Sequence, residues 1–153
     1  MDDPYDFWLS HLDLSNCSLQ RARFSDGLME AANFDFSDLS FAQFHGCDLR
    51  RASFRGALLI GAEIADCNLD GVDAFGSEFG DTRLIRVDLG LVEGLASVTH
   101  RYQSVVETTT IERTSASLLK QVADARAVLT FLSLAGVAET IVDVLRVRLI
   151  GRP

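Results

Sequence analysis

Large apolar residues recur along the first three-fifths of the chain at every fifth position. Stepping by five from Leu14 meets Leu14, Leu19, Phe24, Met29, Phe34, Leu39, Phe44, Leu49, Phe54, Leu59, Ile64, Leu69, Ala74, Phe79, Leu84 and Leu89. Thirteen of these sixteen are Leu or Phe, and only Ala74 is small. A second series runs two residues ahead, from Leu12 and Cys17 to Thr82 and Val87, and thirteen of its sixteen members are Ala, Cys, Ser, Thr or Gly. The residues between are mostly Asp, Asn, Arg, Ser, Glu and Gly. A period of five fits neither the 3.6 of a helix nor the 2.0 of a strand. It fits a solenoid in which each unit turns one corner and points one large and one small side chain inward.

The units Ala32-Asn33-Phe34, Ser37-Asp38-Leu39, Cys47-Asp48-Leu49 and Cys67-Asn68-Leu69 follow the pattern A-(D/N)-(L/F)-x-x. In this the chain resembles the pentapeptide-repeat family over about residues 10–91. The resemblance implies an all-β right-handed quadrilateral β-helix with four repeats per coil, hence about four coils, roughly 19 Å at the usual strand spacing. Stacked in steps of twenty, the central columns become Leu14/Phe34/Phe54/Ala74, Leu19/Leu39/Leu59/Phe79, Phe24/Phe44/Ile64/Leu84 and Met29/Leu49/Leu69/Leu89. Ala74 leaves its layer short, and Phe75 is expected to fold in beside it. Phe7 and Leu9 stand in frame, so residues 4–11 should begin as a degenerate repeat with Trp8 covering the first coil, because open solenoid ends invite polymerisation.

The pattern stops near Leu95. The expected organisation is a capped β-helix over 1–95, a Ser/Thr-rich linker over 96–114 with a strand or two around Val98–Val106, and a small α-helical region over 115–153. In that last region Leu118, Val122, Ala125, Leu129 and Leu132 form one apolar stripe ending at Gly136, and Val137, Ile141, Val144, Leu145 and Leu149 form another. These helices must cap the rod or pair with a second copy. Some gyrase-binding members of the family dimerise through their C-terminal part, so the resemblance implies a homodimer through Leu118, Val122, Leu129, Leu132, Ile141 and Leu145.

Charge divides the chain in the same place. Residues 1–92 hold 16 acidic and 7 basic side chains, a net of −9, and residues 93–153 hold 6 and 7, a net of +1; together they give −8. That balance argues against nucleic acid as a direct ligand. The acidic Met1-Asp2-Asp3 is unlike a secretory n-region, and Val128–Ile150 carries Glu139, Asp143, Arg146 and Arg148, a poor membrane span. A cytoplasmic protein without membrane contact is expected.

Nothing points to catalysis, a cofactor or a metal. The three cysteines all occupy the small inward position and are expected as packed free thiols. His11, His45 and His100 share no ligand spacing. The outward residues say more. One face should carry Phe41, Leu58 and Ile60 beside Asp38, Glu78 and Asp81, an apolar group at solvated positions that suggests a partner-binding site. Another should carry Glu30, Asp48, Asp70 and Asp88, interrupted by Arg50 and Arg51. The expected function is a non-enzymatic protein–protein interaction module, an adaptor or regulatory subunit. The resemblance implies an alternative: a DNA-mimicking regulator of a DNA-binding enzyme such as DNA gyrase or another type II topoisomerase, acting through the acidic face.

Overall fold

A computed structural model describes residues 10–120 and 125–150. Every fifth residue from His11 to Arg86 has a positive φ between 51° and 69°, five of them Gly and eleven not. This left-handed corner explains the period. Each repeat runs extended for a short stretch and then turns once, so four repeats close a coil.

The coils stack in parallel and in register. On the first face Asp13, Asn33, Ser53, Asp73 and Glu93 bridge in sequence. On the second, Ser18, Asp38 and Leu58 do so, and β3 (Leu58–Ile60) then pairs with β5 (Glu78–Gly80) and β7 (Thr99–His100). The third face is the most regular, with β1 (Arg23–Ser25), β2 (Gln43–His45), β4 (Glu63–Ala65), β6 (Arg83–Ile85) and β8 (Val105–Val106) in one sheet. The fourth is bridged through Leu28, Asp48 and Asn68. The structure is thus a parallel-strand β-solenoid of about four turns followed by three helices.

From Met29 onward both inward series are buried as the columns require, while Leu14, Leu19 and Phe24 of the first coil are partly buried. Phe34, Leu39, Phe44 and Leu49 are fully buried, and so are Ala32, Ala42, Ala57 and Ala62. Small residues at the second series let consecutive coils sit at strand spacing while the large ones fill the centre. Down two of the columns the rings stack, Phe24 on Phe44 at 4.7 Å and Phe34 on Phe54 at 4.8 Å, and the columns meet edge to face. Phe75 does not fold in as expected. The bridges on either side of it, Ser53 to Asp73 to Glu93, are unbroken, so Phe75 stays at an outward position, 52% exposed, under the Arg55 guanidinium. The short layer at Ala74 instead leaves an apolar cavity of about 30 Å³, lined among others by Phe54, Ala74, Phe79, Leu95 and Phe131.

The segment expected as a linker is mostly fold. Residues 98–106 add a partial fifth coil, with the stacking offset growing from Asp73↔Glu93 to Glu78↔Thr99 to Arg83↔Val105. Helix α1 (Thr108–Lys120) begins earlier than expected and lies on the open edge of the fourth face. There Thr110 and Thr114, one helical turn apart, accept hydrogen bonds from the Val87 and Leu89 N–H groups at 3.2 and 3.0 Å. Thr110 also donates to the Leu84 carbonyl. The last coil's fourth face would otherwise leave these amides unpaired.

Helices α2 (Ala125–Leu134) and α3 (Glu139–Ile150) close the end of the rod. Phe131 is fully buried and meets Phe79 of the fourth coil edge-on at 5.4 Å. The expectation that Leu129, Leu132 and Leu145 form a dimer contact needs correcting: all three are buried in the chain's own core, because the rod end and the α2–α3 contact absorb them. Ile141 is exposed. The Leu118 side chain and Val122 lie outside the described residues, as do Phe7, Trp8 and Leu9. Among the described residues no helix is long and apolar enough to cross a membrane.

Candidate interaction surface

The second face brings together all six residues expected there. Asp38, Leu58 and Glu78 form one outward column through in-register pairing. Ile60 lies beside Leu58 on β3, and Phe41 turns the corner above it, donating its N–H to the Ile60 carbonyl at 2.8 Å. Asp81 turns the same corner two coils further on. The helices pack on the rod's end, against the 3-10 turn Leu95–Ser97 and β6, so α1–α3 do not explain the apolar residues of coils two and three.

A residue not anticipated from the sequence completes this face. Phe36 turns the corner that precedes it, as Phe41 turns the corner that follows. Phe36 and Phe41 are 67% and 56% exposed, and each sets the Cδ1–Cε1 edge of its ring against a glycine of the next coil. A Cβ on Gly56 would come within 2.6 Å of Phe36 Cδ1, and one on Gly61 within 2.5 Å of Phe41 Cδ1. The two glycines are therefore required twice, for positive φ and for room under a ring. Leu58 and Ile60, half-buried, floor the space between the aromatic corners. The signal for Phe36 is present in the sequence, since apart from Phe41 the other corner positions hold Gly, Arg, Asp, Asn, His or Ala and no large apolar residue.

A left-handed backbone at a non-glycine residue costs about 1–2 kcal/mol, and Asn or Asp tolerates it better than a bulky side chain. Phe36 and Phe41 combine that strain with large exposed apolar surface. The acids around them are partly engaged. Burial pushes the Asp38 carboxyl up, but hydrogen bonds from Ser40 and Gln20 outweigh it and hold it below its ordinary value. Glu78 pairs with Arg101.

The fourth face also gathers its four acids, with Asp48 and Asp88 on one side of the inward column and Glu30 and Asp70 on the other. They do not form an unbroken negative ladder. Leu28 and Asn68 alternate with Asp48 in one outward column. Arg50 stands between Glu30 and Asp70, binding Asp48 at 2.6 Å and Glu30 at 3.6 Å, and Arg51 binds Glu30 as well. The Arg50 guanidinium holds the Asp48 carboxyl below the usual range.

The remaining titratable groups are structural. Cys47 and Cys67 are buried and free, Cys17 is half-buried and free, and both buried thiols donate to carbonyls of the preceding coil. The hydrogen bond to Cys47, together with burial, pushes the Cys67 thiol far above its ordinary range. His45 is exposed and pairs with Glu63 at 2.8 Å, which also binds Arg83. Among the described residues no group of His, Cys, Asp or Glu is placed to hold a metal ion.

A parallel solenoid with one left-handed corner per five residues and an alternation of large and small inward side chains defines a class of protein, and comparison with known families agrees. The family model described as pentapeptide repeats, in 8 copies, matches residues 9–51 and 52–90. The chain belongs to the pentapeptide-repeat family. No curated protein matches it. Twenty-one chains of solved structures do. One is a pentapeptide repeat protein, Rfr23, from the cyanobacterium Cyanothece 51142, with 21% identity and a TM-score of 0.48, covering 57% of this chain and 62% of its own. Another is a pentapeptide repeat protein from the Arabidopsis thaliana thylakoid lumen, with 24% identity and a TM-score of 0.49, covering 74% of this chain and 88% of its own. This chain thus spans under two-thirds of the length of the first.

Proposed function

We propose that this chain is a non-enzymatic protein-interaction module, an adaptor or regulatory subunit, that docks a partner protein on the second face of its solenoid. The observation that carries the reading is the pair of exposed phenylalanines, Phe36 and Phe41, held at left-handed corners over Gly56 and Gly61. Strain and exposure at the same residues, on both edges of one apolar face, are hard to account for by folding alone. The test is a pull-down with Phe36→Asn/Phe41→Asn beside wild type, with thermal melting of both. Loss of a specific partner with an unchanged melt supports the reading; retention of every partner overturns it. Leu58→Asp is a poorer probe, because it would stack a carboxylate between Asp38 and Glu78.

The DNA-mimic reading has weaker support, because Arg50 and Arg51 interrupt and bind the acids on which it depends. Self-association through the helices, as proposed from the sequence, now has to use the exposed ridge Ile141, Val144, Val147 and Ile150 of α3. Light scattering of wild type and Val144→Glu checks it: a dimer that becomes a monomer supports this ridge, and a wild-type monomer rejects it.

A further inference from the structure

The joint between rod and cap holds a half-buried histidine whose two ring nitrogens are shut off from solvent. His100, at the end of β7, packs its ring against Phe79 at 6.0 Å and Phe131 of α2 at 4.9 Å. Both ring nitrogens are buried without a hydrogen-bond partner, and so is the Ser104 hydroxyl four residues on. The backbone of that turn is tied to α2, with the Ser104 N–H donating to the Ala135 carbonyl at 2.8 Å. The apolar cavity below is lined by the same Phe79 and Phe131. The joint is therefore apolar, incompletely packed and built around an imidazole whose burial favours the neutral form.

Charged groups around it offer no relief. On β5 the charged residue is Glu78, and its carboxylate is taken by Arg101, the residue after His100. On α2 it is Arg126, of the same sign as an imidazolium. Burial, with no opposing charge, lowers the basicity of His100 below the ordinary value of 6.5.

We propose that His100 is an acid-sensitive latch: its protonation releases α2 and α3 from the end of the rod, exposing Phe79, Leu95 and Phe131 while the coils persist. Helix α1 stays, because Thr110 and Thr114 hold it to the last coil through backbone hydrogen bonds. The direction follows from linkage. A released His100 takes up a proton at about its ordinary value, whereas the packed one resists. The stability that the neutral ring contributes is fully present above pH 6.5 and is lost as pH falls toward the lower value of the closed state. The ratio of open to closed cap rises up to about tenfold per pH unit below 6.5.

The experiment is hydrogen exchange of the full chain at pH 7.5 and 5.5, corrected for intrinsic exchange, on wild type and His100→Phe. The latch predicts about tenfold more opening over residues 125–150 at the lower pH, none over 40–70, and loss of that pH response in the variant. NMR titration of the His100 ring in wild type should give a midpoint below 6.5, and it decides the matter even if the variant does not fold. Equal opening at both pH values, the same response in His100→Phe, or a midpoint at or above 6.5 would each overturn the proposal.

Discussion

Phe44 and Phe131 are both fully buried phenylalanines, yet their surroundings differ in kind. Phe44 sits in the repeat, stacked on Phe24 at 4.7 Å and edge-on to Phe34 and Phe54 at 5.7 and 5.8 Å. Phe131 plugs the end of the rod, touching Phe79 and His100 beside an unfilled cavity. In the rod each coil is a template for the next, so backbone donors and side-chain volumes are matched by repetition. The cap has no template. It closes the fourth-face edge with threonine hydroxyls and leaves a void and three unpartnered polar atoms at the joint.

Substitutions should separate the two regions. The largest effect is expected from Phe44→Ala, about 3–5 kcal/mol, read by chemical denaturation as earlier unfolding of the whole rod. Phe131→Ala removes as much side chain, but its loss should be confined to the cap, so that hydrogen exchange rises over 125–150 and stays low over 40–70. Equal unfolding of the rod by Phe131→Ala would mean that rod and cap are one cooperative unit. Next comes Thr114→Val, which keeps the shape but leaves the buried Leu89 N–H unpaired; a loss of about 1–3 kcal/mol is expected. Ala74→Val should go the other way. Filling a cavity of about 30 Å³ at about 24 cal/mol per Å³ is worth roughly 0.7 kcal/mol, seen as a slightly higher Tm. Smallest is Phe36→Asn/Phe41→Asn, within about 0.5 kcal/mol, since relief of corner strain offsets the lost ring packing at these exposed positions.

The rod is legible in the sequence because its period is unlike that of helix or strand, and that period is enough to put Asp38, Leu58 and Glu78 on one face. What the period could not reveal was the role of residues outside it. The Ser/Thr density over 96–114 reads as a linker by composition, while Thr110 and Thr114 owe their place to unpaired amides on a different part of the chain. Phe75 was expected inside because Ala74 is small, but the unbroken bridges leave no freedom to turn it inward. Leu129, Leu132 and Leu145 formed a correct apolar pattern with the wrong partner, since a stripe of apolar residues does not say what covers it. Phe36 belongs to neither inward column; it stands at a corner, where a bulky residue is the unusual choice.

The most direct test of the docking face is site-specific photocrosslinking in cells, with the photoreactive residue at Ser40, between the two aromatic corners, and separately at Asp70 on the fourth face. The account predicts a discrete crosslinked protein from position 40 and none from position 70. A crosslink from position 70 alone would contradict it and move the interaction to the acidic face.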